Sequence, residues 1–315
     1  MNIYHSLIAG KRAADLMHSE LGGKIFGVYS SSCYCLLDNG EMLLFHDINY
    51  GIVPFGIGLQ DVGEIIRMVA FKTGMHIYCS NGFVQIPSAN TGIYLKSIGN
   101  KYNSGQSNKS IVSESVILEN LDKVIETIES DGNKNGLGAL VFLMDELLLS
   151  KYMQLDGYEL NFYCRCGFEP LRELLCAVSN GMYKDICNAL EKLIGLGPGL
   201  TPSMDDLLVG FVYTLNYAQK MGYSVPMGYP YLKHLILNRF SFNTSLISMA
   251  YLKCAARGEQ FSVLEDVIDA VLCSQYNKNK KSCLKRLLLV GSNSGTDMLV
   301  GIALGTALLI KCRMI

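Results

Sequence analysis

The chain changes its residue pattern partway along, and that change limits its possible folds more than any other feature. In the first third, the short runs 24–31, 33–37, 41–45, 75–79 and 83–87 are rich in Val, Ile, Tyr, Phe and Cys and have strand length. Asp38-Asn39-Gly40 lies between two of them. Such a triplet tolerates positive φ at consecutive positions and signals a hairpin. Gly99 to Lys109 is polar and rich in Gly and Ser, which reads as a linker or long loop. Beyond it, segments 116–128, 138–151, 169–178, 183–194, 205–217, 231–237, 245–256, 263–273 and 297–310 have helical length and spacing. The pattern predicts an α+β chain, with a β-rich domain over 1–110 followed by a mainly helical domain over 111–315.

Composition narrows the class. Half of the 315 residues are apolar and 17% are charged, so the chain has ample material for a packed core. So few charges also suggest that another subunit covers part of the surface. With 27 basic and 28 acidic residues there is no polyanion footprint, and nucleic-acid binding is disfavoured.

Eleven scattered cysteines make a poor disulfide framework, and Met1-Asn-Ile-Tyr-His lacks a basic segment followed by an apolar core. A cytoplasmic protein with free thiols is expected. Cys33 with Cys35 and Cys164 with Cys166 are each separated by one residue, which on a strand puts both sulfurs on one face. A four-thiolate zinc site normally has two to four intervening residues, so buried thiols fit better and no metal is expected. The apolar run 298–310 falls short of the roughly 20 residues that cross a bilayer and reads as a buried helix.

Residues 195–210 read Gly-Leu-Gly-Pro-Gly-Leu-Thr-Pro-Ser-Met-Asp-Asp-Leu-Leu-Val-Gly. Gly195, Gly197 and Gly199 let backbone amides turn inward, and Ser203 stands three residues before Asp206, the spacing of a capping box. A helix should start there, and its free amides and positive dipole end would suit phosphate or carboxylate. The alternative is a tight turn into a buried helix, with Asp205 and Asp206 complementing the dipole. The stretch is neither a Walker loop nor a dinucleotide fingerprint, and no cofactor is expected.

A second segment echoes the first. Ser203, Asp206, Leu208, Val209 and Gly210 align with Ser294, Asp297, Leu299, Val300 and Gly301, a constant offset of 91 (294 minus 203). The second copy follows Gly291-Ser-Asn-Ser-Gly-Thr. Two such helix starts could face one ligand; the alternative is two ordinary capping boxes.

These segments, together with Asn243-Thr-Ser-Leu-Ile-Ser and Ala256-Arg-Gly, resemble the AllH-like family over residues 190 to 305, with a weaker echo at Pro54-Phe-Gly-Ile. The resemblance implies a subunit of an oxamate carbamoyltransferase; the alternative is a non-catalytic scaffold or anion-sensing subunit of a multi-subunit metabolic enzyme. The carbamoyltransferase moves a carbamoyl group between carbamoyl phosphate and oxamate, in a complex with two other protein subunits. Met204 departs from the family pattern, which has glycine there, and would narrow the loop's approach to a ligand. Candidate catalytic residues are Asp205, Asp206 and His46, the last beside Pro54-Phe-Gly-Ile-Gly and able to act as acid or base. Candidate substrate-binding residues are Gly197, Gly199, Thr201, Ser203, Arg239, Asn243, Thr244, Ser245, Ser294, Gly295 and Asp297. Arg239 offers a fork for carboxylate or phosphate; the alternative puts it on a solvated face beside an N-capped helix.

Overall fold

The computed structural model describes residues 1–95, 112–149, 155, 157–240, 243–273 and 278–312, and the expected linker at 99–109 lies outside them. The chain is α+β, β-rich first and mainly helical after. Two units are distinguishable: Met1–Ser107 with Gln260–Val263, and Asn108–Glu259 with Leu264–Ile315.

The first unit contains β1 (Asn2–Ser6), β2 (Ile8–Ala9), α1 (Lys11–Met17), β3 (Gly22–Val28), β4 (Ser32–Leu37), β5 (Met42–Asp47), β6 (Gly56–Leu59), α2 (Val62–Val69), β7 (His76–Ser80), β8 (Phe83–Ile86) and β9 (Thr91–Leu95). They form one nine-stranded sheet in the order β1-β9-β8-β7-β3-β4-β5-β6-β2. β4 alternates as a half-buried strand must: Cys33, Cys35 and Leu37 are buried and the residues between them are not. The predicted hairpin joins β4 to β5, with Gly40 at φ +81. β1 pairs with β9 on one edge, and the chain runs through Leu7 into β2 on β6 at the other. The sheet is thereby rolled into a barrel-like form, which removes exposed strand edges. Gly10, before α1, lies so close to the chain opposite that a Cβ would stand 2.1 Å from the Val53 carbonyl oxygen. The Pro54 carbonyl accepts from the Ala13 amide at 3.0 Å. The Pro54-Phe-Gly-Ile echo therefore seats α1 on the sheet. Ser262 exchanges two hydrogen bonds with the backbone of Ile52, at 2.7 and 3.1 Å, which ties residues 260–263 to this unit.

The second unit is helical: α3 (Glu114–Asp131), a 3-10 turn at Gly138–Leu143 leading into α4 (Met144–Leu148), α5 (Phe162–Asn180), α6 (Tyr183–Leu193), α7 (Ser203–Lys220), α8 (Tyr229–Asn238), α9 (Leu246–Arg257), α10 (Ser262–Leu272, its first residues in the other unit), α11 (Lys278–Leu288) and α12 (Ser294–Lys311). The single helix expected over 138–151 is thus a 3-10 turn and a short α-helix, and its last two residues lie outside the described ones. α5 and α9 are capped by Asn161 and Ser245 and end at Gly181 and Gly258 in left-handed conformation. Cys164 and Cys166 are on α5, one buried and one exposed, so they do not share a face as they would on a strand. α7 and α12 are buried nearly all round, as core helices are. α12 is long and apolar enough to cross a membrane, yet 83% of it is buried inside the protein.

Candidate functional site

α6 ends at Leu193 and the glycine-rich segment turns the chain into α7, with Gly195, Gly197 and Gly199 at φ +88, +137 and +92. The predicted capping box does not form. Pro202 is the cap residue and makes no side-chain bond, so Ser203 is already the first helical residue. Several amides are committed internally: Gly195 to Asp205 Oδ1 at 2.8 Å, Met204 to the Leu196 carbonyl at 3.0 Å, and Asp205 and Asp206 to the Pro202 carbonyl at 2.9 and 3.1 Å. The amides of Gly197, Gly199, Leu200, Thr201 and Ser203 meet no acceptor among the described residues. A Cβ on Gly197 would stand 2.3 Å from the Ser203 nitrogen, so the glycine keeps that amide uncovered. Gly199 is exposed, and a Cβ there would meet nothing within 4 Å.

Asp205 braces this loop. Besides the Gly195 amide, its carboxylate accepts from Thr244 Oγ1 at 2.5 Å and Ser248 Oγ at 2.6 Å. Burial raises its pKa, and the Ser248, Thr244 and Gly195 donors oppose that rise. Ser245 caps α9 and donates to the Leu200 carbonyl, while the Asn243 carbonyl lies where a Cβ on Gly195 would go. Asn243, Thr244 and Ser245 therefore hold the loop to the start of α9. Arg239 is not among them. It ends α8, half exposed, with its guanidinium on Glu191 at 2.7 Å, as in the solvated alternative.

The two motif copies meet. The hydroxyls of Ser294 and Thr201 act on Asp206 and that of Ser203 on Asp297, each pulling the carboxyl's pKa down; the Leu137 amide donates to Asp297 at 2.6 Å, and the Thr201 and Ser294 hydroxyls are 3.3 Å apart. Each serine thus serves the aspartate of the other helix rather than its own helix start. The reciprocity continues along the seam: a Cβ on Gly210 would stand 2.0 Å from the Met298 carbonyl oxygen, and one on Gly301 would stand 2.0 Å from that of Leu207. Subtracting 91 turns one contact into the other, the signature of an internal two-fold relation. The contacts advance together from Ser203 and Ser294 to Gly305 and Thr214, so α7 and α12 run parallel with both N-termini at the same end. Such a pair concentrates two positive dipole ends, which Asp205, Asp206 and Asp297 in the first turns offset.

Burial dominates the chemistry of these carboxyls. It pushes Asp206 well above the usual range, with the nearby Asp297 adding to the effect, and pushes Asp297 to about 6 against the pull of Leu137 and Ser203. Asp206 Oδ2 and Asp297 Oδ2 are shielded from solvent, with no hydrogen-bond partner among the described residues.

The second loop differs from the first. Asn133 donates its amide to Thr296 Oγ1 and its side chain to the Ser292 carbonyl, both at 3.0 Å, and Gly136 lies directly over Asp297. Segment 133–137 thus covers this helix start. Met204, equivalent to Gly295 (295 minus 91), does not narrow the first loop. It is fully buried, and its methyl occupies the space where a Cβ on Gly167 of α5 would go. Gly295 is required in its own copy, where a Cβ would stand 1.9 Å from the Leu287 carbonyl oxygen.

His46 lies in the first unit, within β5, and is 2% exposed. Its Nδ1 is 2.9 Å from the Asp47 carbonyl oxygen, and its Nε2 lies against Gly56 with no hydrogen-bond partner among the described residues. Burial lowers its pKa to about 4. Sequence reasoning missed Ser248 and the Leu137 amide. Ser248 stands three residues after Ser245 in a segment already singled out, whereas a backbone donor 160 residues from its acceptor leaves no sequence signal.

Residues 193–306, which carry both motif copies and the brace between them, match the family described as oxamate carbamoyltransferase subunit AllH, so the resemblance read from the motifs is borne out over that segment. No solved structure matches the chain.

Proposed function

Taking residues 193–306 as AllH-like, we propose that this chain is the anion-holding subunit of a carbamoyltransferase that moves a carbamoyl group between carbamoyl phosphate and oxamate. The observation that carries this reading is the run of uncommitted amides at Gly197, Gly199, Leu200, Thr201 and Ser203, beside two parallel helix N-termini. Amides and dipole ends in that arrangement stabilise a phosphate or carboxylate. In carbamoyl transfer, charge grows on the carbonyl oxygen and on the departing phosphate, and fixed donors that stabilise both lower the barrier. Asp205 is saturated by three donors, and Asp206 and Asp297 are sealed from solvent. That favours a binding role here, with the groups that move protons supplied by two partner subunits.

Calorimetry on the purified chain with carbamoyl phosphate, inorganic phosphate, oxamate and oxalurate tests the reading. Carbamoyl phosphate and phosphate are expected to bind. Gly197→Ala, which covers the Ser203 amide, and the milder Gly199→Ala should each weaken binding tenfold or more while circular dichroism stays unchanged. Equal affinity in both folded variants would contradict the site. Carbamoyl transfer is expected only from the reconstituted complex, and turnover by the purified chain would overturn the subunit assignment.

A further inference from the structure

One end of the helical unit gathers four helix starts. α7 and α12 begin there side by side. Ser245, the cap of α9, donates to the Leu200 carbonyl of the glycine loop, and Asn161, the cap of α5, donates to the carbonyl of Gly136, which lies over Asp297 in the first turn of α12. Four large apolar side chains stand out into solvent at this end, Phe162, Leu200, Leu246 and Leu289, from 42% to 72% exposed. Leu200 is in the loop itself, Phe162 and Leu246 are the first residues of α5 and α9, and Leu289 precedes Val290, whose carbonyl accepts from the Gly295 amide of α12. A hydrophobic staple at a helix start uses the position before the cap and the fourth helical residue, so neither Phe162 nor Leu246 serves its own helix. Apolar side chains grouped in this way around an open polar loop mark a protein interface.

Charge selects the occupant. The first turns of α5 and α9 contain no acidic residue, so their positive dipole ends are not offset as those of α7 and α12 are by Asp205, Asp206 and Asp297. Lys134, on the segment that covers the start of α12, is exposed and has no ion-pair partner among the described residues. Arg165 in the first turn of α5 is exposed as well, its guanidinium held by the carbonyls of Leu155, Tyr158 and Leu160. Together they outweigh Glu159, which precedes the α5 cap. We infer that this end is the docking surface for a partner subunit that presents Asp or Glu side chains among apolar ones. The apolar side chains meet Phe162, Leu200, Leu246 and Leu289, and the carboxylates face the starts of α5 and α9. Seated there, the partner closes the open glycine loop from solvent. This rests on the reading of the chain as one subunit of a larger enzyme, and not on what the loop binds.

The test is the dissociation constant of the reconstituted complex, from analytical ultracentrifugation of the purified chain with the two other carbamoyltransferase subunits. Phe162→Ser and Leu289→Ser, both at exposed positions where circular dichroism should stay unchanged, are expected to raise the constant about tenfold or more. Met227→Ser is the control. Met227 is also 69% exposed but lies beside Gly181, at the far end of the 19-residue α5, and its loss should change the constant by less than about twofold. Lys134→Glu and added salt should each weaken assembly about threefold or more, since both reduce the attraction for carboxylates. A complex indifferent to Phe162→Ser and Leu289→Ser would overturn the surface, and one strengthened by Lys134→Glu would overturn the acidic partner. A purified chain that self-associates and is dissociated by the same two serine substitutions would make the occupant a second copy and overturn the partner. No complex from the wild-type subunits would overturn the subunit reading together with this one, while phosphate binding by the chain alone reads the loop separately.

Discussion

The two copies of the Ser-x-x-Asp-x-Leu-Val-Gly motif are alike along their shared seam and unlike at their loops. Along the seam every feature is reciprocal, Ser203 on Asp297 and Ser294 on Asp206, Gly210 on Met298 and Gly301 on Leu207. At the loops the positions diverge. Asp205 in the first copy gathers Gly195, Thr244 and Ser248, whereas its equivalent Thr296 (205 plus 91) accepts, among the described residues, only from Asn133. Segment 133–137 closes the second start, and the glycine loop of the first lies open with unfilled amides. A symmetric frame fixes the two helices, and the asymmetric braces leave one start covered and the other open.

The seam is the place where a single atom should cost most. Gly210→Ala and Gly301→Ala each drive a methyl into a carbonyl oxygen of the opposite helix, and overpacking of this kind costs about 3 kcal/mol or more. Because the contacts are equivalent, the two losses in denaturant titration should agree within about 1 kcal/mol. A large loss from one and none from the other would break the two-fold relation.

A large effect is also expected in the other unit, on acidification. His46 has a pKa near 4 when folded against 6.5 when unfolded, so the neutral ring contributes fully above pH 6.5. As pH falls, the unfolded chain takes up the proton first, and about 3 kcal/mol is lost between pH 6.5 and 4. His46→Asn should flatten that part of the stability profile, and an unaltered slope would show that the ring is not buried neutral.

The braces give smaller, unequal effects. Asp205→Ala strands three donors and should cost about 3 kcal/mol, against about 1 kcal/mol for Thr296→Val, which strands one. Equal losses in thermal unfolding would deny the divergence of the loops. Arg239→Ala should change least. Its ion pair with Glu191 is about half exposed, so stability should shift by under about 0.5 kcal/mol and phosphate affinity by less than twofold. A tenfold loss of affinity would return the arginine to the site.

The order of the two halves, the hairpin at Gly40 and most helices were legible because each rests on local pattern: alternation, helical spacing, turn chemistry. The strands β1, β2, β6 and β9 were not. β2 is two residues long and β6 reads Gly-Ile-Gly-Leu, buried on both faces, so neither offers alternation to read. The Ser-x-x-Asp spacing at 203–206 was seen, but its local explanation was the wrong one. A capping box and a cross-helix serine–aspartate pair share the same spacing, and only the neighbour 91 residues away decides between them. Met204 likewise looked obstructive in the linear motif and packs away from the loop, because its partner Gly167 is on another helix.

Under the proposed function the glycine loop, and not its closed counterpart, holds the anion. The most direct measurement is backbone amide nuclear magnetic resonance of the folded chain titrated with carbamoyl phosphate. Shifts at Gly197, Gly199, Leu200, Thr201 and Ser203 that saturate together, with Ser292, Asn293 and Gly295 unmoved, are the predicted result. Shifts confined to the second loop, or none in either at saturating ligand, would contradict it.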